Sequence, residues 1–138
     1  MHERELPAVQ KVQQRLNGNP GVRLIVEADS IRVVPVAGEG FEVGLAERDG
    51  RYTVWFAGWH EEFDSEREAL ECLAFGLSAR CRLEVRSAGG FAYRWTVEYR
   101  HEGRWVEEST TGLSLWPFRK RRDVRYLQND VIAWEETP

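Results

Sequence analysis

Scarcity and absence narrow this chain more than any motif does. Cysteine occurs only at Cys72 and Cys81, too few for the disulfide framework of a small secreted scaffold. With no signal-peptide pattern ahead of them, both read as free thiols in a reducing cytoplasm. No apolar run approaches the roughly 20 residues of a membrane-spanning helix, which argues against a membrane partner. Lysine stands only at Lys11 and Lys120, so arginine carries nearly all the positive charge. We attribute that skew to a GC-rich, bacterial-type genome and not to chemistry. Missing above all is any run with the spacing of a catalytic, nucleotide or metal motif, and no cofactor is expected.

What is present belongs to a globular protein. The 138 residues are 42% hydrophobic and 12% aromatic, and one domain spanning 1–138 can bury about two-thirds of its unfolded surface without staples. The net charge of -4 disfavours nucleic acid and anionic membrane as main partners. Charge is uneven along the chain. Residues 1–78 hold 8 basic and 14 acidic side chains, whereas 79–138 hold 11 and 9, so the second half is the positive one.

The clearest local signals lie between Tyr52 and Tyr99. Tyr52, Val54 and Phe56 alternate with Thr53, Trp55 and Ala57, the two-residue period of a strand that carries large residues on both faces. Gly58 ends it. Asp64 and Ser65 then offer N-cap oxygens, Ser65 with Glu68 has capping-box spacing, and a helix is expected over 65–79. Ala69, Leu70, Leu73, Ala74 and Leu77 form its apolar stripe, widened by Cys72 and Phe75. Beyond Arg80 the period returns to two through Leu83 and Val85. Tyr93, Trp95, Val97 and Tyr99 then alternate with Arg94, Thr96, Glu98 and Arg100, an amphipathic strand with one aromatic and one charged face.

Elsewhere, Leu6, Val9, Val12 and Leu16 predict a short N-terminal helix, with Pro7 tolerable in its first turn and 17–21 stopping it. Val22 to Glu27 and Ile31 to Val36 read as a hairpin, and Pro35 marks the second strand as an edge. Phe41 to Leu45 is a further strand, turned by Asp49-Gly50 into the Tyr52 strand. Glu102-Gly103 turns the chain into a strand over 104–109. Val124 to Leu127 and Val131 to Trp134 are apolar pieces compatible with a last strand, a short helix or a packed tail. The architecture expected is α+β: a mainly antiparallel sheet of about six to eight strands with two helices packed on one face.

The segments that could carry function are few. Gly38-Glu39-Gly40 precedes a strand and not a helix, so it is a turn and not a phosphate loop. Trp59, His60, Glu61 and Glu62 read as a loop between the central strand and helix, where a histidine beside carboxylates would suit general-base work. The plainer account is a solvated loop with Trp59 pinned to the core. His60, His101, Cys72 and Cys81 lack the paired spacing of a zinc site. Trp116 and Phe118, followed by Arg119, Lys120, Arg121 and Arg122, would suit a single nucleic-acid strand, an acidic protein or anionic lipid, or simply form an exposed turn. The set Trp55, Trp59, Tyr93, Trp95, Tyr99 and Trp105 belongs in a core, and any member left exposed on a sheet would mark a protein interface. The expectation is a non-enzymatic protein-interaction module, adaptor or inhibitor in type, whose partner is a protein or a second copy of itself. The alternatives are a small-molecule pocket or modest enzyme between sheet and helix near His60, and nucleic-acid contact through Trp116 to Arg122.

Overall fold

The computed structural model describes residues 6–113 and 122–133. Among them are two helices and nine strands in two antiparallel sheets, an α+β architecture. The strands divide between two sheets where one had been expected.

The first sheet is a five-stranded meander in sequence order: β1 (Val22–Val26), β2 (Ser30–Pro35), β3 (Val43–Arg48), β4 (Arg51–Phe56) and β5 (Trp59–Phe63). The second holds β6 (Cys81–Ala88), β7 (Phe91–His101), β8 (Arg104–Gly112) and β9 (Arg122–Leu127) in the order β8-β7-β6-β9. Tight turns explain the antiparallel pairing. Asp49-Gly50, Gly89-Gly90 and Glu102-Gly103 each place both residues at positive φ, the two-residue geometry whose twist matches that of the flanking strands. Five strands precede the central helix, not four, because Ala57-Gly58 is itself a turn. Ala57 reaches φ 52°, a conformation alanine rarely adopts and composition does not advertise.

Pro35 does not mark an edge: β2 lies between β1 and β3. Its ladder to β3 ends at Val33 opposite Val43, so Pro35 sits past the reach of β3 and its missing N–H removes no bond there.

Helix α1 (Ala8–Leu16) buries Ala8, Val9, Val12 and Leu16, and α2 (Glu66–Leu77) buries Ala69, Leu73, Gly76 and Leu77. Both cover the same face of the five-stranded sheet, closing over Ile31, Val33, Val43, Leu45, Val54 and Phe56. The Ser65 hydroxyl accepts from the Glu68 amide at 3.3 Å, the capping contact its spacing implied. The inner face of the second sheet, with Cys81, Leu83, Val85 and Val97, joins the same core.

After β9 the chain packs as a tail. Val131 donates its amide to the Leu77 carbonyl at 2.8 Å. Buried Asn129 accepts from the Phe41 amide at 3.0 Å and donates to the carbonyls of Phe41 and Gly76 at 3.1 and 3.0 Å. One side chain thus ties the tail to the approach to β3 and the end of α2, satisfying backbone groups that would otherwise be buried without partners.

Candidate functional site

Alternation within β5 separates the residues expected at a catalytic mouth. Trp59, Glu61 and Phe63 fall on one side of the strand, His60 and Glu62 on the other, opposite Trp55 and Thr53. The segment is a strand and not a loop, so His60 and Glu61 project to opposite faces and do not form an acid–base pair. Trp59 is core: its ring lies 4.6 Å from that of Phe56, and its indole N–H donates to the Ser109 hydroxyl at 3.1 Å. Trp55 lies over Gly44, where a Cβ would sit 1.9 Å from the ring, and donates to Glu42 Oε2 at 2.7 Å. Arg32 donates to the other oxygen of that carboxylate and is the main reason the Glu42 pKa is lowered. The segment from Trp116 to Arg121 lies outside the described residues. Arg122 is exposed and opens β9.

The arrangement that does converge is on the outer face of the second sheet. Paired residues share a face, so register places Arg82 with Glu98, Glu84 with Thr96 and Tyr126, Arg86 with Arg94 and Val124, and Arg100 with Trp105. The Arg82 guanidinium lies over two rings at once, 4.6 Å from the Trp105 centroid and 4.1 Å from that of Tyr126. Its Nε donates to Glu98 at 2.7 Å, which fixes the stack. Arg86 donates to Glu84 at 2.6 Å and the Tyr126 hydroxyl donates to the same carboxylate at 3.3 Å. Burial first, then the Glu84 charge, raise the Tyr126 pKa. Arg94 adds a polar demand: its Nε is shielded from solvent and has no hydrogen-bond partner among the described residues.

No described helix packs on this face; Glu84, Thr96 and Glu98 are buried at its middle, and its exposed apolar groups lie along β9. Val124 is 51% and Tyr126 48% exposed. The charged alternates of β6 and β7, and Trp105, were legible in the sequence. Arg82 as the centre of a stack was not, because its two rings come from β8 and β9, which flank the sheet on opposite sides.

A concavity of about 660 Å³ opens between α2, β5, β7 and β8. Phe63, Phe75 and Tyr99 help to wall it, and Glu61 and Glu108 stand at it while His60 does not. Partial burial, and then the charge of Glu61, raise the Glu108 pKa. Among the described residues no group of three or more histidine, cysteine or acidic side chains is placed to hold a metal ion. No described helix is long and apolar enough to cross a membrane.

No family model, curated protein or solved structure matches this chain.

Proposed function

We propose that the protein is a non-enzymatic protein-interaction module, adaptor or inhibitor in type, whose contact surface is the outer face of the four-stranded sheet. One observation carries this reading: Arg82 held over the rings of both Trp105 and Tyr126 on a face that no described helix covers. Tryptophan, tyrosine and arginine dominate binding hot spots because they present large, stiff, amphipathic surface. The internal pairs Arg82–Glu98 and Arg86–Glu84 hold the side chains in place before a partner arrives, which lowers the ordering cost of association. The exposed Val124 and Tyr126 suit a partner that presents an apolar patch. Cytoplasmic action is part of the proposal and is supported by the free thiols Cys72 and Cys81.

The test is site-specific photo-crosslinking in the source cell, with the probe at Val124 on this face and at exposed Glu27 as control. The expected result is a discrete protein adduct from position 124 alone. Affinity for the captured protein should fall at least about tenfold in Trp105→Ala, the loss typical of a hot-spot aromatic. Unchanged affinity in that variant, with the fold intact by circular dichroism, overturns the reading.

The cleft between α2 and β8 supports a second reading, a pocket for a small organic cation, since aromatic walls and carboxylates both attract positive charge. Saturable NMR shift changes around Glu61 on adding tetramethylammonium, lost in Glu61→Gln, would favour it.

A further inference from the structure

We propose that the cleft walled by α2, β5, β7 and β8 takes a small organic cation in exchange for a proton, with Glu61 and Glu108 holding whichever of the two is bound. The inference rests on the cation reading of that cleft and adds what controls its occupancy. Glu61 of β5 and Glu108 of β8 stand at one concavity of about 660 Å³, a size usual for small-ligand sites. The charges of both carboxylates act on the Cys72 thiol of α2, and the charge of Glu61 acts on Glu108, so the three groups converge on one part of the cavity wall. Among the described residues the side chain of neither carboxylate has an ion-pair or hydrogen-bond partner.

Like charges that share a partly desolvated site are relieved in one of two ways, by a proton on one of them or by a cation between them. Burial and the charge of Glu61 both make the proton on Glu108 harder to lose. The other ionisable groups at the cavity do not supply the missing positive charge. From α2 these are Glu68, Glu71 and Cys72, and Glu71 is paired with Arg67 at 3.8 Å. From β7 comes Tyr99, and Arg80, past the end of α2, has a partner of its own that is neither of the two carboxylates. The walls select what can replace the proton. Phe63, Phe75 and Tyr99 offer ring surface beside the carboxylates, and a substituted ammonium is attracted by both. When such a cation enters, its charge favours ionised Glu108 and the proton leaves to solvent; as pH falls the proton returns and the cation is expelled. Linkage makes these one effect. Cation affinity rises with pH across the interval between the Glu108 pKa of the empty and of the occupied site, by up to about tenfold per pH unit for one proton exchanged, and is level above it.

The test needs no variant. The full chain is titrated with acid while carbon NMR follows its glutamate side-chain carboxyls, once in saturating tetramethylammonium chloride and once in sodium chloride at the same ionic strength, so that screening is equal in the two. The expected result is a Glu108 midpoint above the ordinary glutamate range in sodium chloride, moved down by about one pH unit or more in tetramethylammonium. Tetramethylammonium affinity, read from the shift changes around Glu61 at each pH, should rise about tenfold per pH unit between the two midpoints and stop rising above the higher one. Saturable shift changes with a Glu108 midpoint that is the same in both salts, or with an affinity that does not rise with pH, overturn the exchange and leave the cation reading standing. No saturable change anywhere between about pH 4 and 8, the span over which a raised carboxyl ionises, overturns both.

Discussion

Gly76 illustrates how one residue is chosen by a neighbour distant in sequence. It lies inside α2, where alanine would favour the helix by about 1 kcal/mol. A Cβ at this position would sit 2.3 Å from the ring of Phe56. That ring is fully buried between Phe41 and Trp59, with centroid distances of 5.6 and 4.6 Å, and has nowhere to retreat. Overpacking of this kind costs about 1–3 kcal/mol, so the clash outweighs the propensity gain. Gly76→Ala is therefore expected to lower the unfolding free energy by about 1 kcal/mol or more, measured by urea titration. A stabilised variant would show that Phe56 yields. Gly44 under Trp55 and Gly58 under Trp95 follow the same logic. None of the three could be explained from the chain alone, since the reason for each glycine is a ring from a different element.

The element most fully legible in the sequence is α2. Ser65 supplies the cap, Glu66 and Glu68 lie in the first turn where the helix dipole favours negative charge, and Ala69, Leu73 and Leu77 form the buried stripe. Removing the cap oxygen with Ser65→Ala should cost about 1 kcal/mol, while Ser65→Asp should stay within a few tenths because a carboxylate caps equally well. Equal losses from both would show that the hydroxyl bond to Glu68 contributes nothing. β5 is the counterexample. Its polar alternates His60 and Glu62 look like loop residues, and its strand identity comes from pairing with β4 across a turn whose alanine takes an unusual φ. Helical periodicity survives because it repeats over twelve residues, whereas a five-residue strand offers two apolar positions and little else.

At the scale of the whole molecule, burial of the two thiols couples stability to alkaline pH. Desolvation is the leading cause that raises both; the charges of Glu61 and Glu108 add to it at Cys72, and those of Cys72 and Glu108 at Cys81. The folded protein thus keeps protons that the unfolded chain releases. Their contribution is whole below the unfolded thiol value of about 8.5 and is lost as pH rises above it, by up to about 1.4 kcal/mol per pH unit for each thiol. Tyr52 and Tyr126, also raised, join only above about pH 10. Urea unfolding between pH 7 and 10 should show the decline, and Cys72→Ala with Cys81→Ala should flatten it. A flat profile in the unmodified chain would mean that both thiols titrate as they do in water. The sequence by itself determined the elements: the apolar periods of both helices, the alternation in β4 and β7, and the turns at Asp49-Gly50 and Glu102-Gly103. These rest on steric and hydrogen-bonding preferences that act within a few residues. Only the tertiary structure decided that the strands split into two sheets, that β9 crosses to pair with β6, and that Trp105 and Tyr126 close on Arg82. Those outcomes depend on which distant strands bury one another's faces, and a residue's own neighbours in the chain carry no trace of that choice.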